Sequence, residues 1–200
     1  LKILICKKII SVNVRNLDNV NIENILCSLA VLKKLDLSLK KIKTFFRNLE
    51  SVEGRGKMHN IRRYKTNFRL IDESYNANPL SVKKAIINFS KIKKNNFKKY
   101  ILLGDMLELG DKSDFYHKNL SKVINNTDID KIFVYGDKIF TTYKHTNKKK
   151  RGNILQNRED FDEVFSNLIK KNDHLMIKGS NATGLNKLSK NIIKEHRNVV

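Results

Sequence analysis

The sequence predicts an α/β fold in which a mostly parallel sheet is covered by helices on both faces. From residue 67 onward, short apolar runs alternate with stretches whose apolar residues recur at helical spacing. Strand alternating with helix is typical of parallel sheets joined by right-handed crossovers. Pro79, the single proline, follows Asn78, and this pair is a strong signal for the start of a helix.

The spacing of the apolar residues predicts each strand and helix. Strands are expected at compact apolar runs, and helices where apolar residues fall at i, i+3, i+4 and i+7. The predicted strands are 68–71, 100–103, 132–135 and 174–177, with a weaker one at Ile154-Leu155. The predicted helical stripes are 82–89, then Tyr116, Leu120, Val123 and Ile124, then Phe161, Val164, Phe165, Leu168 and Ile169, and finally Leu185, Leu188 and Ile192.

Residues 1–50 differ from the rest and are expected to be the tail of a preceding domain. Residues 1–14 alternate weakly, as one or two edge strands would, and two helical stripes follow. The stripes are Ile22, Ile25, Leu26, Leu29 and Leu32, and then Leu39, Ile42, Phe46 and Leu49. Residues 51–57, with two glycines and mixed charge, are interpreted as a hinge or linker, and a plain surface loop is the alternative. Residues 58–200 then form the α/β domain. A chain that begins with Leu is expected to be a fragment.

Composition limits the class of protein. The net charge of +21 raises nucleic acid as a partner. The lysines are nevertheless scattered, Lys148 to Arg151 is the one true basic run, and the basic aromatic motifs of RNA-binding sheets are absent. No apolar run approaches the length of a membrane span, and Cys6 and Cys27 form neither a metal motif nor a disulfide framework. A cytoplasmic monomer without nucleic acid or membrane partners is expected.

One polar stretch stands out where a predicted strand meets a predicted helix: Asp72-Glu73-Ser74-Tyr75-Asn76-Ala77-Asn78-Pro79. Strand ends beside a helix N-terminus are where α/β sheets usually bind ligands. Further strands end at or next to Gly104, Gly136 and Gly179, and in a parallel sheet these ends share one edge with Asp72. The sequence therefore predicts polar loops gathered along one rim, as in a binding site.

The loop at 104–110 carries two carboxylates, Asp105 and Glu108, between glycines. They either face a ligand or metal, or serve as loop and cap residues before a helix that begins at Asp111 or Ser113. Composition does not separate these two interpretations.

The loop at 178–184 places a cation, flexible backbone and hydroxyls at a strand-to-helix turn, which favours an anion. It lacks the spacing of a Walker A loop, and no such motif occurs in the chain, so the main phosphate cradle of any ATP site would lie elsewhere. The five histidines show no metal spacing. His117, on a predicted helix, is expected at the surface.

Taken together, these loops resemble the C-terminal portion of the Mur ligases. Asp72 to Pro79 is similar to the family's Asp-Asp-Ser-Tyr-Asn-Ala-Asn-Pro signature, Leu103 to Gly110 to its Gly-Asp-Met-x-Glu-Leu-Gly loop, and Lys178 to Ser180 to its Val-Lys-Gly-Ser loop. Gly54-Arg55 corresponds to the Gly-Arg at the entry to the last domain, and Val20 to Asn24 to a His-Asn-x-x-Asn. The resemblance is closest to members that add D-alanyl-D-alanine to UDP-N-acetylmuramoyl-tripeptide.

The resemblance implies a Rossmann-like domain of a three-domain, ATP- and Mg²⁺-dependent amide ligase of peptidoglycan precursor synthesis. ATP would convert the substrate carboxylate to an acyl phosphate, which the incoming amine attacks. The implied nucleotide contacts are Asn24 at adenine, Arg55 at the phosphates, Asp72 at ribose, and Tyr75, Asn76 and Asn78 nearby. The positions implied to face the dipeptide and the acyl phosphate are Asp105, Glu108, Lys178, Gly179 and Ser180.

The chain departs from the family in two respects. Val20 stands where the family usually has His, so no role is carried over to it. The UDP-sugar domain, the Walker loop, the magnesium ligands and the carbamylated lysine of the family have no counterpart in these 200 residues. The resemblance therefore implies a fragment that is inactive alone, with Gly54 to Lys57 as its hinge.

Two other interpretations stay open. The first is a different Mur ligase or a folylpolyglutamate synthase-like ligase, although those carry other residues at the Tyr-Asn-Ala-Asn-Pro position. The second is a basic binding module without enzymatic activity, which predicts salt-sensitive nucleic-acid binding.

Overall fold

The structure, a computed structural model, describes residues 2–5, 8–11, 22–38 and 52–197. It divides the chain into two compact units, Leu1–Val52 and Glu53–Val200. None of the helices within the described ranges is both long and apolar enough to pass through a membrane.

The first unit contains a strand pair and a helix. Strand β1 (Lys2–Ile5) pairs antiparallel with β2 (Lys8–Ser11), and helix α1 spans Ile22–Lys34. The first predicted helix is confirmed, and Ile25 and Leu29 of its stripe are buried, whereas Ile22 and Leu26 are 40% and 42% exposed. The second predicted stripe, at 39–49, lies outside the described residues.

The second unit is built on a six-stranded sheet. Its strands are β3 (Lys57–Arg63), β4 (Thr66–Asp72), β5 (Lys99–Gly104), β6 (Lys131–Tyr135), β7 (Arg151–Leu155) and β8 (His174–Lys178). Their order across the sheet is β3-β4-β8-β5-β6-β7. Only the β3–β4 pair is antiparallel within this sheet, so the predicted mostly parallel sheet is confirmed.

Helices connect the strands. They are α2 (Pro79–Ser90), α3 (Ser113–Asn125), α4 (Phe140–His145), α5 (Arg158–Leu168) and α6 (Leu185–Arg197). The N-terminus of α2 is capped as the sequence predicts, because Asn78 Oδ1 accepts a hydrogen bond from the Ser81 N–H at 2.8 Å and Pro79 is the first helical residue. A reciprocal bond from the Asn78 N–H to Ser81 Oγ completes a capping box.

The core lies on both faces of the sheet because successive strand residues point to opposite sides. Ile101 and Leu103 of β5 belong to one cluster, with the buried faces of α2 and α3. Tyr100 and Leu102 belong to the other, with α5 and α6. Every residue of β5 is buried, which explains its near-continuous apolar sequence.

Two elements were missed by the sequence prediction. Strand β3 is an edge strand with Ile61 as its buried hydrophobic residue, and it begins at Lys57, inside the segment interpreted as a hinge. It is paired to β4 through a tight turn in which Tyr64 and Lys65 both have positive φ. Helix α4 is only six residues long, too short to show a helical period.

We expect His174, the first residue of β8, to make the stability of the unit depend on pH. Its ring is buried and stacks on Phe97 with ring centroids 4.0 Å apart, and its Nε2 finds no hydrogen-bond partner in the part of the chain described. Burial, and then the charge of Arg69, lower the pKa of His174 from 6.5. The unfolded chain therefore binds this proton first, and the free energy of unfolding should fall as the pH drops below about 6.5.

This prediction is tested by urea unfolding between pH 7.5 and 5. His174→Gln should remove part of the acid-side decline, whereas His145→Gln, at an exposed position on α4, should keep it. Because the glutamine also loses the stacking on Phe97, the slope against pH is compared and not the absolute stability. Equal slopes in wild type and His174→Gln would contradict the assignment.

Candidate functional site

The candidate site is the edge of the sheet where β4, β8, β5 and β6 end. Register places Asp72 beside Ile177, Leu103 beside Lys178, and Gly104 beside Tyr135. We call the segments that leave this edge the β4 loop (residues 73–78), the β5 loop (105–109) and the β8 loop (179–184). The prediction that the polar loops share one rim is confirmed.

Asp72 lies beneath the β4 loop and is buried. Its Oδ2 accepts the Gly54 N–H at 3.0 Å, and its Oδ1 accepts the N–H and the hydroxyl of Ser74 at 3.2 and 2.5 Å. Backbone bonds from the Gly56 N–H to the Asp72 carbonyl and from the Tyr75 N–H to the Gly54 carbonyl reinforce this contact. Both carboxylate oxygens are therefore occupied within the chain, and they fix the Gly54 turn to the end of β4.

Arg55 and Tyr75 are the pair on this turn that faces solvent. The Arg55 guanidinium lies 4.6 Å from the centre of the Tyr75 ring, and the tyrosine is 48% exposed. Within the described ranges no carboxylate forms an ion pair with Arg55. An exposed cation on an exposed aromatic ring can bind a phosphate and stack on a planar base.

Lys178 holds the β4 loop from the neighbouring strand. The lysine is buried, and its Nζ donates to the Asn76 carbonyl at 3.0 Å and the Glu73 carbonyl at 3.4 Å, and lies 3.5 Å from Glu73 Oε2. Burial lowers the pKa of Lys178 and raises the pKa of Glu73, and each of these groups opposes the shift of the other. The ammonium is directed at the loop itself, so a direct role at a ligand stays a prediction.

The amides of the β4 loop are also used locally. Asn76 Oδ1 accepts the N–H of the next residue, Ala77, at 2.8 Å. Asn78 caps α2, as described above. These bonds shape the loop, and the predicted nucleotide contacts of Asn76 and Asn78 stay predictions.

The β5 loop is tied to the rest of the edge. Asp105 Oδ1 accepts the Ile139 N–H at 2.7 Å, and the carboxylate packs against Gly136, where a Cβ atom would stand 2.6 Å from it. Glu108 is exposed, with φ of +61°. Asp105 thus holds the segment after β6, and its predicted contact with the dipeptide or the acyl phosphate stays a prediction. The side chain of Glu108 is exposed to solvent.

The β8 loop joins the other two. Ser180 is buried; its hydroxyl donates to the Ala77 carbonyl at 3.3 Å and accepts the Leu107 N–H at 3.0 Å. The Ser180 N–H donates to the Asp105 carbonyl at 2.9 Å. Gly179, one residue earlier, packs against Gly104 at the end of β5.

The expectation that His117 lies at the surface was wrong. Its ring is fully buried; Nδ1 donates to the Ser113 carbonyl at 2.8 Å and Nε2 accepts the Met106 N–H at 3.1 Å. These two bonds define the ring's tautomer and anchor the β5 loop to α3. The sequence signal was present, because His117 falls at helical spacing from the buried Leu120 and Ile124, but a polar residue in that stripe was assigned to the surface.

Two further predictions concern Asn24 and metal binding. Asn24 is exposed on α1 and belongs to the first unit, so its proposed adenine contact stays a prediction. In the described portion of the chain, no three side chains of His, Cys, Asp or Glu come together as a possible metal site.

Buried side chains hydrogen-bond the polar loops of this edge to one another, and the fold is that of a Rossmann-like α/β domain. Sheets of this class usually bind ligands at the carboxyl ends of their strands. A family model described as "Mur ligase, glutamate ligase domain" matches residues 56–181. The chain belongs to the Mur ligase family.

Two individual relatives carry the same enzyme name. The chain is 35% identical over 184 residues to the UDP-N-acetylmuramoyl-tripeptide--D-alanyl-D-alanine ligase of Buchnera aphidicola subsp. Acyrthosiphon pisum (strain APS), covering 88% of this chain and 37% of the relative. It is 32% identical over 130 residues to the ligase of the same name from Bacillus subtilis (strain 168), covering 62% of this chain and 28% of the relative. The chain thus spans little more than a third of the first of these relatives.

A solved structure supports the fold. The MurF ligase from Thermotoga maritima in complex with ADP superposes with a TM-score of 0.71 over 90% of this chain and 39% of that one. The identity of 22% makes this a statement about the fold alone.

Proposed function

We propose that this chain is the C-terminal part of the ATP-dependent ligase that adds D-alanyl-D-alanine to UDP-N-acetylmuramoyl-tripeptide. The observation that carries the proposal is that the three loops matching this enzyme's motifs lie along one sheet edge and are hydrogen-bonded to one another. The two relatives with 35% and 32% identity carry that activity in their names. This favours the D-alanyl-D-alanine-adding ligase over another Mur ligase, a folylpolyglutamate synthase or a basic nucleic-acid-binding module.

The proposed reaction has two steps. A tripeptide carboxylate oxygen attacks the γ-phosphorus of ATP, and ADP leaves, giving an acyl phosphate. The amine of D-alanyl-D-alanine then attacks the acyl carbon, phosphate leaves, and the amine nitrogen releases a proton as the amide forms. Both steps depend on positioning and on neutralising phosphate charge.

On the nucleotide side, we assign the direct contacts to Arg55 and Tyr75. They are exposed together, and a cation beside an aromatic ring fits a phosphate and a base. Asp72 contributes by fixing the turn that carries Arg55, because both of its oxygens accept bonds within the chain. The ribose contact of Asp72 and the adenine contact of Asn24 are kept as predictions.

On the other side, we assign the incoming dipeptide and the acyl phosphate to the β5 and β8 loops. Glu108 is the exposed carboxylate of this region, and it suits the ammonium group of a dipeptide. Asp105, Lys178, Gly179 and Ser180 shape the loops from inside. Mg²⁺ supplies charge neutralisation when it is bound with ATP, and we propose that its ligands belong to the central domain, beyond this chain.

This assignment has consequences for the chain as a whole. A piece that carries one side of the ATP site is expected to be inactive alone. Use of ATP and a UDP-linked precursor fits a cytoplasmic location, and a monomeric state stays a prediction.

Arg55→Ala in the full-length ligase should raise the KM for ATP tenfold or more, about 1.4 kcal/mol, because a phosphate contact is lost. The KM for D-alanyl-D-alanine should stay within about twofold, since that substrate binds at the other loops. Steady-state kinetics with each substrate varied in turn measure both constants.

The matched control is Arg62→Ala, an exposed arginine on β3 at the opposite edge of the sheet, which should leave both constants unchanged. An unchanged KM for ATP in Arg55→Ala would remove this arginine from the nucleotide site. Substrate class is tested separately: ADP release that requires a single amino acid and not D-alanyl-D-alanine would favour the rival ligases.

A further inference from the structure

We propose that Ser180 is a positioning residue that couples the β4 loop to the β5 loop, so that the nucleotide side and the dipeptide side of the site are held by one hydroxyl. The inference rests on the proposed function for the identity of the two ligands. It departs from the direct substrate contact that the family resemblance implies for this serine.

The contacts of Ser180 account for all of its polar groups. The hydroxyl donates to the Ala77 carbonyl in the β4 loop and accepts the Leu107 N–H in the β5 loop. The backbone N–H donates to Asp105, and the backbone carbonyl accepts the hydroxyl and the N–H of Thr183. The residue is 5% exposed, so a ligand has little surface to contact and its one donor proton is already directed at Ala77.

A hydroxyl is the smallest side chain that donates and accepts at once. Ala77 and Leu107 lie 30 positions apart in sequence, and Ser180 lies a further 73 residues beyond Leu107. Without the hydroxyl, a carbonyl in one loop and an N–H in the other would both lose their partner, which is costly for groups removed from water. Lys178, two residues earlier, binds the β4 loop at Glu73 and Asn76. Among the described residues, Ser180 is the one whose side chain is hydrogen-bonded to both loops.

The proposed coupling predicts a specific pattern in the KM values for the two substrates. A side chain that contacts only the dipeptide should change the KM for the dipeptide alone. A side chain that merely stabilises the fold should lower the amount of active enzyme and leave both KM values unchanged. A residue that holds both loops should raise both constants together.

The first test uses the chain itself and needs no substrate. In Ser180→Ala, amide hydrogen exchange followed by NMR should be at least tenfold faster at Leu107, and the amide signals of both loops should shift. The control is Ser189→Ala on α6, because the Ser189 hydroxyl is fully buried with no hydrogen-bond partner in the described parts of the chain. It should leave Leu107 exchange unchanged. Unchanged Leu107 exchange in Ser180→Ala would overturn the coupling.

The second test measures kinetics in the full-length ligase. Ser180→Ala should raise the KM for ATP and the KM for D-alanyl-D-alanine at least threefold each, while Ser189→Ala raises neither. A rise in the dipeptide constant alone, or a change in kcat alone, would overturn the proposal. Because the exchange experiment is independent of activity, a chain with no place in a ligase would fail the second test and still pass the first.

Discussion

Phe165→Ala is expected to lower the free energy of unfolding of the α/β unit by about 3–5 kcal/mol. Phe165 on α5 is fully buried, and its ring lies 4.5 Å from Phe161 and 4.7 Å from Phe133, centre to centre. Removing the ring takes away its transfer free energy and leaves a cavity between a helix and the sheet. Phe133 is fixed in β6, so the walls can relax only partly, and the loss should lie in the upper range for core substitutions.

Urea unfolding followed by circular dichroism measures this loss. The matched control is Phe115→Ala on α3, where the phenylalanine is 62% exposed, and it should change stability by less than about 0.5 kcal/mol. A loss below about 1 kcal/mol for Phe165→Ala would mean that α5 does not pack on the sheet as described.

The elements that carry this core could be predicted because their sequence periods are strong. Strand β5 is buried throughout, and its sequence is a nearly continuous apolar run. The start of α2 is indicated by Asn78 as N-cap and Pro79 as first helical residue. Strand β3 could not be predicted in this way. Its sequence, Lys-Met-His-Asn-Ile-Arg-Arg, buries one hydrophobic residue, and its strand conformation comes from pairing with β4 and not from an amphipathic pattern.

The site was predictable in position but not in contacts. Parallel topology was enough to place Asp72, Gly104 and Lys178 on one edge. Which atoms meet there depends on bonds between distant positions: Lys178 binds a carbonyl 102 residues away, and Asp72 binds an N–H 18 residues away. No local pattern encodes such pairs. Matching the residues of a motif therefore does not reveal that several of its polar side chains form hydrogen bonds that hold the loops together.

Gly54→Ala should lower the free energy of unfolding by about 2–5 kcal/mol, the sum of two effects. Gly54 has φ of +75°, and this left-handed conformation costs an alanine about 1–2 kcal/mol. A Cβ atom would also stand 2.9 Å from Tyr75 Cβ and 3.1 Å from the Tyr75 N, and overlap of this kind adds about 1–3 kcal/mol. The second contact involves backbone, so moving one side chain does not relieve it.

Gly184→Ala separates the two effects. Gly184 has φ of +80°, and nothing lies within 4 Å of the Cβ position, so this variant should show the left-handed cost alone, about 1–2 kcal/mol. Chemical denaturation of both variants gives the difference. If Gly54→Ala is no less stable than Gly184→Ala, the turn is not packed against the β4 loop.

The same substitution tests how the site is assembled in the full-length ligase. Gly54 and Gly56 are hydrogen-bonded to Asp72 and Tyr75, so Arg55 is held between two fixed points. Displacing the turn by about 1 Å should lower kcat/KM for ATP by about 100-fold.

The same hydrogen bonds imply that the turn moves as part of the α/β unit. We therefore predict that any hinge lies before Gly54, near the division of the chain at Val52 and Glu53. Hydrogen exchange that is slow at the Gly54 and Gly56 amides in the wild-type chain, and fast in Gly54→Ala, would support this arrangement; fast exchange in the wild type would return the hinge to the glycine turn itself.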